Sequence, residues 1–297
     1  MRTWQPVLLT LVVLGLADAL VFGDPPKSGE ATVQAPKAER ADENPKVIAQ
    51  PSDQPEEPKE ITNSLGMRFV RIPKGTFLMG SPSDDERAEE DELQHQVTLS
   101  QDFYMSTLEV TQEQYVRVMG KLPEGMSNLP DKFKGAKLPV VSVAWSEARN
   151  FARRLSDNAE ESKYKRKYRL PTEAQWEYAC RAGAETAFSF GDSDLHIGEF
   201  AWYVGNSADK IHEGGQKKPN AFGLYDMHGN VWEWCSDWYG DYPSTPLTDP
   251  QGPNSGAFRV LRGGSCFGVP LLVRCAYRGN DTPEFRSDDL GFRLVLE

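Results

Sequence analysis

Positive charge is scarce in this 297-residue chain: 33 Lys and Arg stand against 44 Asp and Glu, a net charge of −11. Holding a phosphate backbone takes a basic stripe, so no nucleic-acid partner is expected. The one dense basic run, Lys163-Tyr-Lys-Arg-Lys-Tyr168, directly precedes Arg169-Leu-Pro171 and reads as a solvated helix end or loop. Histidine is scarcer still. His95, His196, His212 and His228 are the only ones, and none has the H-x-x-H or H-x₃-H spacing of a metal site. There is no internal repeat, no EF-hand spacing, and no nucleophile-elbow signature around Ser265.

Long apolar runs are missing too, with one exception. Val7 to Leu16 is broken only by Thr10 and Gly15, follows the charge of Arg2, and precedes the small-x-small site Ala17-Asp-Ala19. Residues 1–23 therefore read as a secretory signal peptide, too short for a comfortable membrane span. No Cys follows the run, which argues against a lipoprotein anchor. The expectation is an exported protein (periplasmic, cell-surface or secreted) with no integral span after cleavage. Residues 24–60 are rich in Pro, Lys, Glu and Ala with few large apolar side chains. Such a segment buries too little to offset its ordering entropy and reads as a disordered linker. The acidic run Asp84 to Glu92 reads as an exposed loop.

What remains, residues 61–297, carries the pattern of one α+β domain. Alternation around Phe69-Val70-Ile72 and Phe77-Leu-Met79 predicts two short strands, and Val97–Leu99 and Phe103–Met105 two more. Thr111 is placed to cap a helix that ends at Gly120. Pro139–Val143 reads as a buried strand and Ser146 as the cap of a second helix. Thr172 and Gln175 have capping-box spacing at the start of a third. Residues 183–256 predict few regular elements. Closing strands are expected at Arg259–Gly263, Leu272–Arg278 and Gly291–Leu296.

The stretch around which the rest is arranged is Gly223-Leu-Tyr-Asp-Met-His-Gly-Asn-Val-Trp-Glu-Trp234. Two carboxylates, Asp226 and Glu233, flank a Gly-Asn turn. Carboxylates with turn carbonyls suit a hard cation such as Ca²⁺, but turn chemistry alone also accounts for Asp, Gly and Asn there. Both readings stand on the residues. Four cysteines behind a signal peptide point to disulfides, and sequence alone leaves three complete pairings open.

The run Gly223–Trp234, followed by Arg259-Val-Leu-Arg-Gly-Gly-Ser265 and Leu290-Gly-Phe-Arg-Leu294, resembles the formylglycine-generating enzyme or sulfatase-modifying factor family. Gly75–Gly80, Glu109-Val-Thr-Gln112 and Arg169–Tyr178 agree with it, in the same order. The resemblance implies a loop-rich, C-type-lectin-like fold in one domain. It implies a structural Ca²⁺ held by the side chains of Asp226 and Glu233 and the carbonyls of Gly229 and Val231. It implies a Cys180–Cys275 bridge, leaving Cys235 and Cys266 either bridged or free; a bridge between them is expected in an oxidising compartment.

Catalytic members of that family turn a protein cysteine into formylglycine with O₂ and copper held by two thiolates, at the third and eighth positions after Gly-Gly-Ser. Soft copper needs such ligands. Here Cys266-Phe-Gly-Val-Pro-Leu-Leu-Val273 follows Ser265, with no Cys at either position. Ser265 and Trp232 match residues lining the family's active site, and Cys266 sits near the first thiolate position. Copper is therefore not expected. A family branch using iron on three His is not expected either. Two functions stay open: a non-catalytic member binding a peptide, protein or glycan in the family cleft, or an oxidase with an atypical site on Cys266 and Cys235.

Overall fold

A computed structural model describes residues 58–297. The expected signal peptide and nearly all of the expected linker lie outside the described residues. The strands and α-helices, in chain order, are β1 (Glu60–Thr62), β2 (Arg68–Ile72), β3 (Gly75–Met79), β4 (His95–Leu99), β5 (Phe103–Ser106), α1 (Gln112–Met119), α2 (Trp145–Ser156), α3 (Ala159–Lys163), β6 (Tyr168–Arg169), α4 (Glu173–Arg181), α5 (Ile197–Phe200), β7 (Trp232–Trp238), β8 (Leu247–Thr248), β9 (Arg259–Arg262), β10 (Gly279–Asp281), β11 (Leu290–Gly291) and β12 (Val295–Leu296). They form three sheets, ordered β1-β2-β5-β12-β6, β10-β9-β7-β11 and β3-β4-β8. No helix among the described residues is long and apolar enough to cross a membrane.

The inner strands of the five-stranded sheet are buried on both faces, and strand periodicity divides their residues between two cores. Phe69, Tyr104, Leu294 and Leu296 face α2, where Tyr115 stacks on Phe151 at 5.6 Å. Their neighbours Val70, Met105 and Val295 face the opposite way, toward Ala174, Trp176 and Ala179 of α4. Helix α4 starts as its sequence predicts: Thr172 Oγ1 accepts from Gln175 N at 3.1 Å and Gln175 Oε1 accepts from Thr172 N at 3.1 Å. Helix α1 is likewise capped by Thr111 and stopped by Gly120 in the left-handed region.

Several expectations need correction. Pro139–Val143 is buried but forms no strand beyond one bridge to Thr111, because Ser142 has φ +57° and breaks the extended run. Helix α2 begins one residue before Ser146; its N-terminal cap is the Ala144 N–H donated to Glu147 Oε2 at 3.0 Å. Leu272–Arg278 is a short 3₁₀ turn (Pro270–Val273) and irregular chain, and the strand follows at β10. Gly291–Leu296 splits into β11 and β12, which join different sheets. The acidic run is not wholly solvated: Glu92 is buried and takes two hydrogen bonds from Arg274, at 2.8 and 2.7 Å.

That last pair is one of a set. Arg278 grips Glu173 at 2.8 and 3.0 Å, Arg181 and Arg262 share Glu177, and Arg293 holds Glu233 at 2.7 Å through both oxygens. All of these side chains are buried. Buried charges persist only when paired and hydrogen-bonded, so these arginines fasten loops that have few ladder bonds of their own.

Candidate functional site

The turn preceding β7 requires its residues. Asp226, Gly229 and Asn230 have φ of +56°, +86° and +61°, a region that Gly, Asn and Asp enter most readily. Gly229 has a second constraint, since a Cβ there would stand 2.1 Å from the Trp202 carbonyl oxygen. Asn230 is fully buried: it accepts from His212 N at 2.9 Å and donates to Glu109 Oε1 at 3.0 Å.

Three buried carboxylates gather behind this turn, with two different fates. Glu233 is saturated by Arg293 and by the Trp176 indole N–H at 2.8 Å. Asp226 takes one bond, from Gly215 N at 2.7 Å, and its Oδ1 has no partner; Glu109 Oε2 has none either. The two acids converge, for Asp226 Oδ2 and Glu109 Oε2 both lie 3.4 Å from where a Gly214 Cβ would stand. Burial pushes Asp226 up to about 6, against the Gly215 N–H and the Arg293 charge. Burial, and then the Asp226 charge, drives Glu109 well above the usual carboxylate range.

Tested against a hard cation, this donor set fits in part. Asp226 offers a free buried oxygen, and Glu109, which sequence reading missed, offers another. Of the expected ligands, Glu233 has both oxygens held by Arg293. Gly229 and Val231 lie in the turn between. The signal for Glu109 was its place at the head of the Glu-Val-Thr-Gln motif.

The second cluster surrounds Ser265. Its Oγ donates to Asp289 Oδ2 at 2.6 Å, and Trp232 N donates to the Asp289 carbonyl at 2.8 Å. Asp289, just before the Leu-Gly-Phe-Arg motif, thus joins Ser265 to Trp232, and sequence reading missed it. No histidine completes a triad with them. His228 Nδ1 donates to Val273 O and its Nε2 accepts from Ser189, and His212 stacks on Trp202 at 3.6 Å.

Residues 53–297 match the Sulfatase-modifying factor enzyme 1-like domain family. The chain belongs to that family. It is 34% identical over 255 residues to the formylglycine-generating enzyme of Streptomyces coelicolor, covering 79% of this chain and 75% of that protein. It is 30% identical over 268 residues to the serine/threonine-protein kinase pkn1 of Chlamydia pneumoniae, covering 81% of this chain but spanning only 39% of the kinase. Among solved structures, Treponema denticola variable protein 1 superposes with a TM-score of 0.71 at 32% identity, over 80% of this chain and 99% of that one. The architecture is accordingly the family's loop-rich, C-type-lectin-like fold.

For a sulfatase-modifying factor the decisive question is where the thiols stand. Cys180 and Cys275 face each other as thiols, Sγ to Sγ 3.6 Å, with His228 Nε2 4.0 Å from Cys180 Sγ. The expected partners are thus brought together, without a bond between them. Burial takes the His228 imidazole down to about 4, so it is neutral near pH 7.

Cys235 and Cys266 are not brought together. The Cys266 N–H donates to Asn230 O at 2.9 Å, whereas Cys235 lies along β7, and the two belong to different cores. Cys266 is anchored at Asn230, five residues before Cys235, and extended chain advances ~3.3 Å per residue, which takes the pair past the ~7 Å Cα limit for a disulfide. Neither the expected bridge nor a shared copper ion suits that spacing. Cys266 is itself fully buried, and burial with the nearby Asp289 and Asp288 charges pushes its thiol up to about 12. A thiol so protonated is a poor nucleophile and a poor metal ligand.

Proposed function

We propose that this chain is an exported, non-catalytic sulfatase-modifying-factor domain that binds a peptide, protein or glycan at the surface around Ser265 and Trp232. The observation that carries this reading is the isolation of Cys266. Copper chemistry on a cysteine substrate needs two thiolates in one coordination sphere, and Cys266 is a single, buried thiol, while Cys235, the partner expected of it, belongs to another core.

The surface beside it favours a partner with apolar side chains. Phe267, Val269 and Leu271 are exposed, and Val204 joins them where its N–H donates to Gly268 O at 3.0 Å. Exposed apolar groups gathered on one segment mark interaction surfaces more often than scattered ones. Trp232, half-buried beside Asp289, adds an indole to the same region.

A Ca²⁺ ion belongs to this reading as a structural part. Asp226 and Glu109 would hold it, with carbonyls of the turn around Gly229 and Val231, and it would supply only charge neutralisation. The chain's own contribution is the rigid turn, fixed by Asn230 and by the close approach of Trp202.

The activity question is decided by incubating the purified protein with a Cys-x-Pro-x-Arg sulfatase peptide, copper and O₂. Mass spectrometry should find the peptide thiol unchanged. An aldehyde product that disappears with Cys266→Ser would establish the other reading, a formylglycine-generating oxidase with an atypical site.

A further inference from the structure

At the other end of β7 from Trp232 lies a cleft of about 340 Å³. Its walls are apolar, formed by Met79, Leu247, Pro243, Pro250 and Pro253. Its floor holds Asp237, which is only 3% exposed. One oxygen of that carboxylate is engaged, since Oδ2 accepts from Glu173 N at 3.1 Å and from Ser236 Oγ at 2.8 Å. Oδ1 has no hydrogen-bond donor; it faces Gly252, another residue of the cleft, where a Cβ would stand 3.3 Å from it.

The other charges at the floor cancel. Glu173 is gripped by Arg278, which also donates to the carbonyls of Asp91 and Gly240. The exposed Asp241 adds a second carboxylate at the rim. The cleft therefore has apolar walls, one carboxylate oxygen that no donor reaches, and a second carboxylate at its rim; the buried Tyr242 hydroxyl that also lines it has no partner.

From this geometry we infer that the cleft binds an alkyl ammonium, the hydrocarbon stem lying against the proline and leucine walls and the NH₃⁺ donating to Asp237 Oδ1. A divalent metal suits it less, because such ions seek six or more oxygens and the floor offers one free carboxylate oxygen. A sugar suits it less as well, because one face of the Trp238 ring is already covered by the Arg259 guanidinium at 3.4 Å. Burial, and then the Glu173 charge, raises the Asp237 carboxyl to about 7, so an arriving cation relieves a cost that the fold otherwise carries. The ammonium belongs to a lysine side chain or to a free amine, and the two sources share this chemistry.

Calorimetric titration of the full-length protein with n-pentylamine and with 1-pentanol tests the assignment. Pentylamine should bind saturably and at least tenfold tighter than the alcohol. Asp237→Asn should weaken it about tenfold. Because Asp237 also supports the start of α4, Leu247→Trp, which fills the cleft without touching the carboxylate, is the second variant and should abolish binding with the melting temperature retained. Tighter binding of acetyl-Ala-Lys-Ala-amide than of pentylamine assigns the ammonium to a lysine side chain, and the reverse assigns it to a free amine. Equal affinity for amine and alcohol, or amine binding that survives Leu247→Trp, overturns the inference.

Discussion

Asp226 in the turn before β7 and Glu233 at the start of β7 are both cut off from water, and the chain treats them in opposite ways. Glu233 meets a guanidinium from Arg293 and an indole N–H from Trp176, so both of its oxygens have donors. Asp226 and its neighbour Glu109 each keep an oxygen without a donor. Burial alone therefore does not separate a structural acid from a site. What separates them is whether the chain itself supplies the counter-charge. The paired acid fastens the C-terminal strands to β7, and the other two each keep an oxygen that no donor reaches.

The largest test of the comparison removes the counter-charge from the satisfied side. Arg293→Met leaves Glu233 buried and uncompensated, and breaking a buried pair in this way costs ~3–5 kcal/mol. Urea denaturation should find a loss of that size. A loss no greater than that of an exposed-pair variant such as Arg153→Met would mean that Glu233 has another partner and that the contrast with Asp226 is false.

A smaller test uses protons. Asp226 has a folded value of about 6, raised from 3.8, so without a cation its contribution is fully present below pH 4 and is lost as pH rises through about 6. The sign is opposite to that of Glu177, which Arg181 and Arg262 hold low against burial. In EDTA, the stability of the wild type minus that of Asp226→Asn should therefore fall between those two pH values, by roughly 3 kcal/mol at ~1.4 kcal/mol per pH unit. A flat difference would place the Asp226 proton elsewhere.

Parts of this contrast were legible in the sequence, and the illegible parts share a cause. Thr172 and Gln175, or Thr111 and Gly120, are read correctly because a cap is a local arrangement of neighbouring residues. Asp226 and Glu233 stand out because they flank a turn. Their different fates do not, since Arg293 lies 60 residues from Glu233 in the chain and Glu109 lies 121 from Asn230. Strand β7 was hidden for another reason. Trp234 and Cys235, adjacent in sequence, are both fully buried in different cores, so the run lacks the alternation that marks a half-exposed strand. Glu92 was misread as solvated because its arginine comes from the far end of the chain.

The smallest effect supplies the control that sharpens the rest. Ca²⁺ at a hundredfold excess over its dissociation constant should raise stability by about 2.7 kcal/mol through mass action, and the melting temperature in Ca²⁺ should exceed that in EDTA. Asp226→Asn and Glu109→Gln should erase this difference if those carboxylates hold the ion, although each variant also changes stability by itself. Thr172→Ala separates the two effects. It removes the acceptor for Gln175 N at the head of α4, a capping loss worth ~1 kcal/mol, and touches none of the three acids. Thermal melts of this variant should shift downward equally in Ca²⁺ and in EDTA, so that the gap between the two conditions stays as wide as in the wild type. If the gap narrows for Thr172→Ala as it does for Asp226→Asn, the cation response merely tracks overall stability, and the free oxygens of Asp226 and Glu109 are not what the ion meets.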